Sequence, residues 1–176
     1  MRSWNVIMFC IAAAGCLLPD AAEAEYFGDK KYGEYYEEEK AWVESAAALP
    51  KFPKTESFVD YFVSAASPNK YSIAPQTISV AADGVVRYVA AVKTPSGVLN
   101  VSFEGLRCTT KEVKLYAFGH ADGTWSKSRN DRWSAVRPGS YQATLFKEYF
   151  CPRGVMIFTA DEGVDALRQG GHPLVK

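Results

Sequence analysis

ADGVVRYVAAVKTPSGVLNVSFEGLRC, Ala82 to Cys108, is the stretch whose reading decides the fold. Asp83-Gly84 supplies a left-handed turn residue, after which Val85 to Lys93 begins a strand. Its even positions, Val86, Tyr88, Ala90 and Val92, are apolar, while Arg87 and Lys93 fall on the other face. Thr94-Pro95-Ser96-Gly97 turns the chain, with proline early and glycine late. Val98 to Cys108 returns as the next strand, so the pair is antiparallel. The apolar residues of that strand are odd-numbered first (Leu99, Val101, Phe103) and even-numbered after Gly105 (Leu106, Cys108). A change of parity across a glycine predicts a β-bulge there, with Cys108 pointing inward and Arg107 outward.

Downstream, Val113 to Gly119 reads as a further strand and Ala121-Asp122-Gly123 as a turn. The pattern then becomes helical. Ser140 caps a helix carrying Tyr141, Leu145, Phe146, Tyr149 and Phe150, which Pro152 must end. Gly154 to Phe158 reads as a short strand. Thr159-x-x-Glu162 opens a second helix with Val164 and Leu167 inward, stopped by Gly170-Gly171. Upstream, Phe58 to Ser64, Tyr71 to Ile73 and Thr77 to Ala81 are strand-like runs preceded by LPKFP, Leu49 to Pro53. Strands first and helices last predict an α+β fold: an antiparallel β-meander sheet, two C-terminal helices packed on it, and one disulfide.

The N-terminus predicts export. A basic start, the apolar run from Trp4 to Leu18 and Ala22-Glu23-Ala24 together read as a signal peptide over 1–24. An alternative makes Cys16 a lipidated first residue, because Ala13-Ala14-Gly15-Cys16 is a loose lipobox; the A-x-A site just downstream is the better match. Residues 25–48 form an acidic, aromatic arm that gains helical character near Tyr35 to Ala48. Residues 49–176 are one domain. The expected location is therefore the periplasm or the exterior, with no transmembrane segment once the signal is removed.

Cleavage leaves two cysteines, Cys108 and Cys151, and an exported pair most often bridges. Closing the loop between them stabilises the fold by about 4 kcal/mol in the chain-entropy view. Of 20 basic residues the cut removes Arg2, and of 20 acidic ones it removes Asp20 and Glu23. The near-neutral remainder excludes an electrostatically driven nucleic-acid binder.

No nucleophile elbow, phosphate loop or dinucleotide fingerprint occurs, and two histidines give no metal pattern, so no cofactor is expected. Asp122 beside His120 reads as a turn aspartate, and His172 as a structural contact. Glu104 is a weak acid candidate. TWSKSRNDRWSAVRPG, Thr124 to Gly139, stands out, because it gathers Trp125, Lys127, Arg129, Arg132, Trp133 and Arg137 in one loop. Guanidinium groups and indole faces suit a glycan, an anionic lipid or an acidic protein. The leading expectation is a non-enzymatic envelope binding module. The alternatives are a hydrolase of an envelope polymer using His120, Asp122 or Glu104, and an inhibitor or assembly factor acting through the arm.

LPKFP, ADGVVRY, NVSFEGLRC, YAFGHADGTW, YFCPRGV and LRQGGHP, in this order from about Trp42 to Pro173, resemble the CNP1-like family of exported bacterial proteins. The resemblance implies an exported single domain with its two cysteines paired. It implies no activity, substrate or catalytic residue.

Overall fold

Strands β3 (Val85–Lys93) and β4 (Leu99–Arg107) form the hairpin that Ala82 to Cys108 predicts. Gly84 and Gly97 adopt positive φ of 79° and 88° at its turns, a backbone region closed to most side chains. The computed structural model describes residues 41–175. The expected signal peptide over 1–24, with Cys10 and Cys16, and residues 25–40 of the arm lie outside the described residues. β1 (Val59–Tyr61), β2 (Lys70–Val80), β3, β4, β5 (Glu112–Gly119) and β6 (Trp125–Lys127) pair antiparallel in chain order. A two-residue strand, β7 (Ser134–Ala135), also pairs with β5. The meander is therefore as expected.

Helix α1 (Tyr141–Thr144) starts at Ser140, whose Oγ accepts from the Ala143 amide, and widens into a π-helical turn over Leu145–Phe150. The wide turn is closed by the Cys151 amide donating to the Phe146 carbonyl at 2.9 Å. Helix α2 (Ala160–Arg168) starts at Thr159, whose Oγ1 accepts from the Glu162 amide. Glu162 reaches one residue beyond the cap and accepts from the Phe158 amide at 2.6 Å. Gly163 lets α2 settle closely, since a Cβ there would stand 2.8 Å from Ile157 Cδ1. The Cys108–Cys151 disulfide, with its Cα atoms 5.5 Å apart, ties the end of β4 to the end of the π turn.

Both faces of the sheet are covered. On one, called face A here, Ile73, Val86, Tyr88 and Leu106 pack against Leu145, Tyr149, Phe150 and Leu167. On the opposite face B, Ala74, Val89, Val101 and Phe103 pack against Ala47, Phe52, Phe58 and Trp125. This double cover overturns the parity argument. β3 and β4 pair without a break from Val85 opposite Arg107 to Lys93 opposite Leu99, so Gly105 carries no bulge. Apolar residues of both parities are buried near Phe103 and Leu106, and parity there no longer marks an inward side. The extra residue lies in β5: Phe103 faces Ala117 and Glu104 faces Leu115, leaving Tyr116 unmatched. Gly105 accommodates that residue, since a Cβ would meet Tyr116 Oη at 2.8 Å.

Three further expectations are corrected. The runs around Tyr71 and Thr77 form one strand, irregular between Ala74 and Ser79 where Pro75 cannot donate. Thr77 Oγ1 bridges the gap, donating to the Ala74 carbonyl at 2.7 Å and accepting from the Val89 amide at 2.9 Å. Gly154 to Phe158 is not a strand. Val155 and Phe158 are exposed, and only Ile157 is fully buried, as a single plug against α2. Residues 41–48 are not helical; they run along the sheet without regular structure.

Candidate functional site

The loop from Ser128 to Gly139 passes the edge of β5, and its side chains divide between the two faces. The indoles are used internally. Trp125 lies against Phe52, ring centroids 4.9 Å apart, and donates Nε1–H to the Pro50 carbonyl at 3.0 Å. Trp133 donates Nε1–H to Glu44 at 3.2 Å and meets Trp42 edge-on at 5.9 Å.

Glu44 is the centre of that second contact. It also accepts from Lys114 Nζ at 2.8 Å and Tyr116 Oη at 2.7 Å, and lies 3.9 Å from Arg87. Burial alone would raise its pKa, but these donors outweigh it and hold the carboxyl below its ordinary value. Asp83 of the hairpin turn behaves likewise: burial opposes its charge, while Arg87 at 2.6 Å and the Ser45 and Val85 amides lower its pKa. Trp42 completes the contact. Its Nε1–H bonds the Asp83 carbonyl at 2.7 Å, and the Arg107 guanidinium stands 3.8 Å over its ring. These contacts are invisible in linear order, because Glu44 and Trp133 are 89 residues apart.

The arginines of the same loop turn the other way. Arg132 and Arg137 line a cavity of about 810 Å³ on face A, between β4, β5 and the start of α1. Neither guanidinium has a hydrogen-bond or ion-pair partner among the described residues. Lys127 and Arg129 are exposed nearby but do not line the cavity. Phe118, Leu115 and Val113 form its apolar side; Asn100, Ser128 and Asn130 add polar groups.

Glu104 is the cavity's carboxylate, only 2% exposed. Ser102 Oγ donates to its Oε1 at 2.6 Å, and Tyr141 Oη makes a very short bond to the same oxygen. Tyr88 Oη donates to Oε2 at 3.1 Å and Gln142 Nε2 at 3.4 Å. Burial, reinforced by the Glu104 charge, raises the pKa of Tyr88 and of Tyr141, so both phenols stay protonated as donors. The helix cap matters here, because Ser140 fixes the first turn from which Tyr141 and Gln142 reach the acid. In sequence, Tyr141 reads only as part of an apolar stripe, and Tyr88 as a core residue.

His120 and Asp122 are not brought to Glu104's cavity. They occupy the exposed β5–β6 turn, where Asp122 accepts from the Thr124 amide at 3.0 Å and His120 bonds Ser126. His172 is a buried contact, 2.9 Å from Glu162. Among the described residues no cluster of His, Cys, Asp or Glu could hold a metal ion, and no helix is long and apolar enough to cross a membrane.

Fold and cavity together define a disulfide-linked α+β domain with a cleft on one sheet face that has an apolar side and a charged one. The chain belongs to the CNP1-like family, whose model matches residues 37–168. No curated protein and no solved structure matches the chain.

Proposed function

We propose that this protein is an exported envelope domain that binds a small anionic, hydroxyl-bearing ligand, such as an acidic saccharide, in the face A cleft. The observation that carries this reading is the placing of two guanidinium groups, those of Arg132 and Arg137, without a partner among the described residues, in the lining of one cavity. A cleft of this volume is in the usual range for small-molecule sites. Arginine forks bind carboxylate or phosphate bidentately, and serine, asparagine and glutamine side chains suit hydroxyl groups. Binding rather than hydrolysis is favoured because, among the described residues, Glu104 is the one carboxylate that lines the cleft and no histidine lines it, so the paired carboxylates of a glycosidase are not found there. The location rests on the N-terminal signal pattern.

The test is retention on a panel of acidic saccharides and anionic lipid vesicles. Wild-type protein is expected to retain an acidic saccharide. The Arg132→Ala/Arg137→Ala variant should lose affinity by about tenfold or more, since each ionic hydrogen bond contributes about 1.5–3 kcal/mol. Lys127→Ala/Arg129→Ala, outside the cleft, should bind as wild type does. Equal binding by the first variant, or retention by vesicles alone, overturns the proposal.

A further inference from the structure

The cleft holds two opposite charges that do not meet. Among the described residues no lysine or arginine nitrogen is within ion-pair distance of Glu104, although Arg132 and Arg137 line the same cavity. The four groups that hold Glu104 are neutral hydroxyl and amide donors. They satisfy its hydrogen-bonding valence without cancelling its charge. In a cavity of reduced dielectric that charge repels a purely anionic ligand and attracts a cation.

The two oxygens of Glu104 also differ. Oε1 has two close donors, Ser102 and Tyr141. Oε2 has only Tyr88 at 3.1 Å and Gln142 at 3.4 Å, both long beside the roughly 2.5–2.9 Å typical of bonds to a carboxylate. The Gln142 bond to Oε2 is the longest of the four, so it is the one that a ligand donor would replace. A metal ion is not the counterpart, because one carboxylate supplies too few ligands.

We infer that the cleft selects a zwitterionic ligand, with a primary ammonium at Glu104 Oε2 and a phosphate or carboxylate at Arg132 and Arg137. With the hydroxyl-matched lining, the class is a small amino sugar bearing an acidic group. This rests on the anion-binding role of the two arginines proposed above.

The experiment is calorimetric titration of the full-length mature protein with glucosamine 6-phosphate, N-acetylglucosamine 6-phosphate, glucose 6-phosphate and glucosamine. Glucosamine 6-phosphate should bind about tenfold or more tighter than each of the other three, which lack the ammonium or the phosphate. Glu104→Gln should shrink the advantage over glucose 6-phosphate to within about twofold, while Arg132→Ala/Arg137→Ala should shrink that over glucosamine. The wild-type series stands even if Glu104→Gln fails to fold. Equal affinity for glucose 6-phosphate and glucosamine 6-phosphate overturns the ammonium site and leaves anion binding intact. No binding of any of the three phosphates at millimolar concentration overturns both.

Discussion

Glu44 shows how much a single side chain can decide outside any regular element. It satisfies Lys114, Tyr116 and Trp133 at once, so removing it leaves three half-buried donors short of an acceptor. Glu44→Ala is expected to cost about 1–3 kcal/mol, read as a lower denaturant midpoint at unchanged slope. The same group predicts a pH response. Folding holds Glu44 and Asp83 below their ordinary values of 4.5 and 3.8. The unfolded chain therefore binds more protons, and stability rises with pH through this range. Their contribution should be complete above about pH 5 and disappear as the pH falls through the depressed folded values. Urea melts from pH 7 to pH 3 should show the decline, and Glu44→Gln should flatten it. Sequence made the Arg/Trp loop conspicuous but not its division, because which face a loop side chain takes depends on partners far away in the chain. Trp133 goes to face B for Glu44, while Arg132 beside it goes to face A.

At the scale of elements, the hairpin was legible because glycine turns and clean strand lengths are local signals. The bounds of β3 match the expectation, as do the caps at Ser140 and Thr159. Two failures share a physical cause. Parity alone puts a bulge at Gly105 and a strand at residues 154–158, because it treats apolar residues as one-sided. Around β4 both sides are covered, and near Ile157 one residue is buried without a strand neighbour. Tyr116, the residue actually bulged, gave no sign beyond being a tyrosine among strand formers. The capping bonds are testable. Ser140→Ala removes the acceptor for the Ala143 amide and the donor to the Arg137 carbonyl, and should cost about 1 kcal/mol in thermal or chemical unfolding. The disulfide contributes more. Cys108→Ser/Cys151→Ser should lose about 4 kcal/mol, and thiol labelling of the folded protein should leave Cys108 and Cys151 unmodified before reduction.

Across the whole molecule, face B is completed by chain that precedes the first strand. Ala47, Phe52 and Phe58 lie on its core, while Trp42, Glu44 and Ser45 lock onto the hairpin turn and β5. The acid-rich composition of the arm hides the docking of its last residues. A chain begun at Pro50 should therefore melt lower than one begun at Glu25, by about 2–4 °C for each kcal/mol lost, and bind a hydrophobic dye more strongly. The cross-link has a further consequence, of topology rather than energy. Cys108 and Cys151 are 43 positions apart, and between them run β5, β6, β7, α1 and the loop bearing Arg132 and Arg137. One wall of the cleft is thus part of a covalently closed circuit. A protease that nicks the exposed loop opens the circuit without releasing a fragment, so the mass rises by one water and the pieces separate only on reduction.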